Sequence, residues 1–240
     1  MKTKRILSVL LTLALAFGLL GTAASAADVN IQATLPTIVL GTTSATPTKV
    51  GFGGKQWAVI GYNGTGIAST SGKLTLLLAN STDYGTSPFN PVYDQPNSNH
   101  YSVSTLKTAM ETVYGTLPAK EQAQVAGRDL AGGGALYSNP NTTGYDADKI
   151  AGPNVTGAKV WPLSAGEAAQ LHSTVRATGS WWWLRSPGDN STRAAGVYTD
   201  GTVYPIGSTV SIGDAVRPAL LLNLASVLFV SDASGASAKS

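Results

Sequence analysis

The chain contains no cysteine, and that absence excludes more chemistry than any motif in it supplies. Without thiols there is no disulfide, no thiolate nucleophile, no thiolate metal site and no lipid anchor on a cysteine. Histidine is nearly as scarce: His100 and His172 are the only two. No His, Cys or carboxylate cluster has metal-ligand spacing, so no metal and no cofactor are expected. Charged residues make up 12% of the chain, too few for the solvated composition of a disordered protein whose apolar content reaches 43%.

Excess charge is missing too. The formal net charge of +3 equals the three basic residues Lys2, Lys4 and Arg5 of the N-terminus. Those residues precede the apolar run Ile6 to Leu20 and the small-residue site Ala24-Ser25-Ala26, the pattern of a secretory signal peptide over 1–26. Once it is cleaved, the remainder is neutral. A nucleic-acid partner needs a basic stripe against phosphates, and none is left. An anionic membrane is disfavoured likewise, and no membrane insertion is expected after cleavage. The expected location is secreted, extracellular or associated with the cell surface.

The rest reads as three stretches after the signal: an N-terminal strand and loop (27–48), one domain (49–230), and a small-residue tail or linker start (231–240). Val29, Ile31, Ala33 and Leu35 alternate as in a half-buried strand. Gln56 to Tyr62 and Lys73 to Asn80 form a hairpin pattern with a longer loop between them. Leu106, Ala109, Met110, Val113 and Leu117 recur at helical spacing, with Ser104 as N-cap and Gly115 as stop. Pro118 restarts a helix at its first position. The stretch from Ala131 to Gly157, full of Gly, Asn and Pro, reads as a long surface loop. Val160 and Trp161 end a strand, and Ser164 with Glu167 matches a capping box for a short helix reaching about His172. Asp200-Gly201 between two β-rich arms predicts a hairpin with a type I′ turn. "AVRPALLLNLASVLFV" reads as a buried strand.

Three of the five tryptophans stand together in "SWWWLRSPGD", Ser180 to Asp189. In a strand, Trp181, Trp183 and Arg185 share one face and Trp182 and Leu184 the other. Trp183 and Leu184 are assigned to the core. A fully buried indole removes about 150–250 Å² from water, an upper bound of about 4–6 kcal/mol. Of Trp181 and Trp182, one is expected to face solvent.

"WWLRSPG", "AAGVYTDGTVY" and "AVRPALLLNL" together resemble the C-terminal signature of a family of exported bacterial domains of unknown function. "FGGKQWAVIGY", "YSVSTLKTAMETVYGTLPAKEQ" and "KVWPLSAGEAAQL" extend the resemblance upstream. The resemblance implies an α+β, C-type-lectin-like fold of mainly antiparallel strands with two or three short helices. That fold is related to the formylglycine-generating, sulfatase-modifying enzymes and to receptor proteins diversified by retroelements. It gives Trp183, Leu184, Arg185, Gly188, Gly201, Arg217 and Pro218 a structural role, with Arg185 and Arg217 pinning strands to loops. The related enzymes use cysteine at a copper centre, so their activity does not carry over.

No catalytic constellation stands elsewhere. Ser186 is not in a G-x-S-x-G elbow and is read as turning the chain ahead of Pro187-Gly188. "AGGGA" lacks the Lys-Ser/Thr of a phosphate loop. Gln95-Pro96-Asn97 is half of a calcium-lectin motif whose partner is missing, and a turn explains it. The diversified relatives bind near the C-terminal hairpin, which makes Trp181, Trp182, Asp189, Asn190, Arg193, Tyr198 and Tyr204 the candidate ligand residues. The expected function is a non-catalytic binding module for a glycan or protein; the alternative is a structural domain of a bacterial surface protein with no discrete ligand. Ligand identity, calcium binding and oligomeric state stay open.

Overall fold

The apolar run near the C-terminus organises the molecule. In the computed structural model, which describes residues 37–137 and 146–224, the segment Pro218–Asn223 is a strand with five buried residues in a row. Such a strand reads as continuously hydrophobic because both of its faces are covered. The signal segment, the alternating strand pattern from Val29 to Leu35 and the tail lie outside the described residues.

In chain order the strands begin with β1 (Lys49–Phe52), β2 (Lys55–Tyr62), β3 (Thr65–Gly66), β4 (Lys73–Leu78) and β5 (Thr86–Pro88). Helices α1 (Thr105–Thr116) and α2 (Ala119–Gln122) follow, then β6 (Val125–Ala126), β7 (Arg128–Leu130), β8 (Val155–Ala158) and β9 (Val160–Pro162). Next come α3 (Ala165–Gln170), α4 (Ser173–Arg176), β10 (Trp182–Pro187), β11 (Arg193–Val197), β12 (Val203–Thr209), β13 (Gly213–Ala215) and β14 (Pro218–Asn223). The first sheet runs β1-β2-β4-β14-β6, with β3 on β2 and β9 on β14. The second runs β12-β11-β10-β13-β5, and β7 pairs with β8. All pairings are antiparallel except β10 with β13. The architecture is therefore α+β, with mostly antiparallel strands and a few short helices.

Among the described residues, one compact unit begins at Ile38. Leu40 is buried, and the Gly41 N–H bonds the Val59 carbonyl, so the approach to β1 is part of the fold. The expected hairpin is β2 with β4, and its loop folds β3 back onto β2.

Local capping behaves as its chemistry requires. Ser104 accepts from the Lys107 N–H at the start of α1, which buries Leu106, Met110 and Val113 against β9 and β5. Gly115 does not stop this helix, which runs through Thr116 and ends where Leu117 turns extended. Pro118 sits one position before α2, as its N-cap. Ser164 and Glu167 make the reciprocal capping box of α3. That helix ends at Gln170, and His172 then caps α4 through Nδ1.

The Asp200-Gly201 hairpin joins β11 to β12, but not by a type I′ turn. That turn needs positive φ at both central residues, and here Gly201 (φ +87°) has it while Asp200 does not. The loop is instead three residues long, Thr199 to Gly201, with the glycine in the left-handed position. A side chain there would also meet the Ala177 nitrogen and the Ser173 carbonyl at 2.8 Å.

Candidate functional site

Strand β10 enters the second sheet with Trp182 opposite Val197 and Trp183 opposite Gly196. Trp182 and Trp183 are both fully buried. Trp183 donates its indole N–H to the Ser87 carbonyl at 2.8 Å and meets Phe89 edge-on at 5.7 Å. Trp182 donates to the Arg176 carbonyl and lies under the Arg217 guanidinium, 4.6 Å from its ring centre. Trp182 therefore has no surface to offer a ligand, and its place among the candidate ligand residues is corrected. Tertiary neighbours cover both faces of this strand, so alternation alone could not say which ring stays outside.

Trp181, 37% exposed, is the ring that does. Its centroid lies 4.0 Å from that of Tyr198, edge to face, and Tyr198 stacks on Tyr204 at 4.7 Å. The hairpin register explains the trio. Tyr204 stands opposite Gly196, which has no side chain, so the phenol leans along the diagonal to Tyr198, a neighbour within reach of long side chains. Partial burial first, then Tyr204 and Asp200, raise the Tyr198 pKa, which keeps the phenol neutral. The Asp200 carboxylate is lowered by hydrogen bonds from Thr202, so the cluster carries one negative charge beside three rings.

The other three expected ligand residues lie apart. Arg193 opens β11 and Tyr198 follows its end, roughly 16 Å of strand away at about 3.3 Å per residue. Arg193 pairs with Asp189 at 3.3 Å, and Asn190 donates to Asp189 and accepts from Thr192. Asn99 ties the same loop by donating to the carbonyls of Asn190 and Arg193. This rim is held by its own bonds and does not join the ring trio.

The two signature arginines are buried. Arg217 donates to the carbonyls of Leu78, Val175 and Arg176, linking β4 to the end of α4, and burial lowers its pKa to about 9. Arg185 donates to the carbonyls of Pro162 and Asp148 and to both oxygens of Glu167. Burial alone would raise Glu167, but Arg185 and then Arg128 outweigh it and hold the carboxyl at about 2. Ser186 is buried as well: it donates to the Ala147 carbonyl and accepts the first N–H of α3. Its role is a bond between elements rather than the turn expected of it. Gly188 has a steric reason, since a Cβ there would meet the Ile206 carbonyl at 2.5 Å.

Residues 169–224 match the model of a domain of unknown function, DUF6273. The DUF6273 segment holds the tryptophan run, the hairpin and both signature arginines, so the ring trio lies wholly within it. Most partners of the two arginines (Leu78, Asp148, Pro162 and Glu167) lie upstream of the match. No curated protein and no solved structure matches the chain.

Sequence reasoning missed one feature. Glu167 was read only as a cap, and Arg128 not at all, yet Arg128 pairs with Glu167 at 2.5 Å beside a cavity of about 360 Å³. Arg128 is 39 residues from Glu167 in sequence, and no short-range pattern announces their pairing. Among the described residues, no group of three or more His, Cys, Asp or Glu side chains is placed to hold a metal ion. No described helix is long and apolar enough to cross a membrane.

Proposed function

We propose that this chain is a secreted or surface-associated, non-catalytic binding module of C-type-lectin-like fold, and that its ligand, a glycan or a protein, docks on Trp181, Tyr198 and Tyr204. The observation that carries the reading is a row of three aromatic rings, with Tyr198 in contact with both Trp181 and Tyr204 and Trp181 open to solvent. Such rings give large contact area for little side-chain entropy, and their faces suit the C–H faces of sugars as well as apolar protein side chains. Fold analogy names no ligand, so the site alone supports the function. Nucleic acid is disfavoured because the chain's net charge of +3 lies wholly in Lys2, Lys4 and Arg5 and a carboxylate stands beside the rings.

The internally bonded Asp189-Asn190-Arg193 rim favours the alternative, a structural domain without a discrete ligand. Glycan and protein arrays probed with the secreted chain, with and without calcium, separate the two. Specific binding lost in both Trp181→Ala and Tyr204→Ala, with melting temperatures close to that of the parent, supports the ring site. Uniform silence on both arrays sinks it.

A further inference from the structure

The cavity beside β7 has a volume within the range of small-molecule sites, about 300–1,000 Å³, at about 360 Å³. Its deepest residues are Glu167 and Arg185, whose side chains are 6% and 2% exposed. One carboxylate there serves two guanidinium groups, because Arg128 shares it, so the floor carries an excess positive charge.

The two arginines are not equivalent. Arg185 is committed to two backbone carbonyls and both Glu167 oxygens. Arg128 holds Glu167 through Nη2 and rests on the Trp161 ring at 5.2 Å; its Nη1 is buried without a hydrogen-bond partner, and its Nε, which makes no hydrogen bond, is the donor left for the cavity. Its side chain is 23% exposed and lines the cavity. A guanidinium with unused donors favours a planar oxyanion, above all a carboxylate.

The rim has the opposite sign. Asp129 and Asp148 are exposed and line the same cavity. Each commits one oxygen, Asp129 to the Gly157 N–H and Asp148 to the Ser164 hydroxyl, and has a second oxygen left. Asp146 is partly neutralised by Lys149 at 3.5 Å. A plain anion would be repelled by this rim, and a plain cation by the floor. We propose that the cavity binds a small zwitterion, an amino acid or short peptide, with its carboxylate on Arg128 and its ammonium between Asp129 and Asp148. This site is separate from the aromatic rings and stands or falls independently of them.

Calorimetric titration of the whole secreted chain at low ionic strength tests it, with glycylglycine, acetate and methylammonium as probes. The expected result is saturable binding of glycylglycine at least tenfold tighter than either half-molecule. Asp129→Asn keeps the acceptor for Gly157 and should weaken glycylglycine about tenfold while leaving or improving acetate. Arg128→Gln should abolish binding of both, and Arg128→Lys, which keeps the charge, serves if the glutamine variant melts early. Trp181→Ala should change none of these values. No saturation with glycylglycine, acetate binding as tight as glycylglycine, or an unaffected Asp129→Asn would each overturn the proposal.

Discussion

The Arg217 guanidinium lies 4.6 Å from the centre of the Trp182 ring, and both side chains donate to the carbonyl of Arg176. Arg176 in turn bonds the carbonyls of Leu171 and Gly201. One chain of contacts thus runs from the β11–β12 turn through α4 to β4, where Arg217 ends on Leu78. It fixes the hairpin that carries Tyr198 and Tyr204. Substituting Arg217→Met fills the space but takes the guanidinium donor from the Leu78 and Val175 carbonyls, while the Arg176 carbonyl keeps Trp182. The expected loss is about 2–4 kcal/mol, at about 1–3 kcal/mol for each stranded buried group offset by the relief of a buried charge. Chemical denaturation reads it, and an unchanged midpoint would show that the network adds nothing.

Glu167 gives stability a defined acid limit. Its carboxyl is held at about 2 against an ordinary value of 4.5, so the ion pair's contribution is complete above pH 4.5. It is lost as pH falls from 4.5 towards 2, because the unfolded chain takes up the proton first. The size is about 3 kcal/mol, at about 1.4 kcal/mol per pH unit. Glu167→Gln should be less stable at neutral pH and should lack this acid-dependent loss. Parallel slopes for the two proteins between pH 4.5 and 2 would contradict the assignment.

Asp214 works in the other direction. Burial on β13 raises its carboxyl from 3.8 to about 6. The folded state therefore favours the protonated form, and stability falls as pH rises from about 4 through 6. Asp214→Asn should stabilise the protein above pH 6 and make little difference below pH 4. Solvent screening at a partly open carboxylate keeps the gain to about 1–2 kcal/mol. Thermal melts of both proteins at pH 4 and pH 8 provide the comparison, and an equal difference at the two pH values would refute it.

Backbone geometry makes a paired prediction. Ala68 holds a φ of +51°, and Gly201 one of +87° against neighbouring backbone. A non-glycine residue in the left-handed region costs roughly 1–2 kcal/mol, and glycine's extra unfolded-state freedom returns about 0.5–1 of it. Ala68→Gly should therefore stabilise by about 0.5–1 kcal/mol. Gly201→Ala should destabilise by more than about 2 kcal/mol, because steric overlap adds to the strain. Equilibrium unfolding of both variants is the test, and a stabilised Gly201→Ala would mean that the turn relaxes freely.

Much of the local structure was legible in the residues. The Ser104 and Ser164-Glu167 caps, the β2–β4 pairing and the helical period from Leu106 depend on neighbours a few positions away. The same reading erred where a local cue was outweighed. Gly115 stayed inside α1 because the apolar face continues to the buried Leu117. Asp200-Gly201 made a longer turn, in which Gly201 sits close against α4.

The site divided along the same line. Trp181, Tyr198 and Tyr204 were named as surface candidates from the sequence, and hairpin register brings them into contact. That Trp182 is closed over was decided by Arg217, 35 positions further along the chain, and by the end of α4. The Arg128-Glu167-Arg185 cluster was settled by β7 and β10 arriving at the first turn of α3 from distant parts of the chain. Periodicity and capping act over one or two turns of backbone, so the sequence by itself determined the elements, their caps and the run of indoles. Which faces are covered, and which charges meet, depends on contacts between segments far apart in the chain, and those only the tertiary structure could decide.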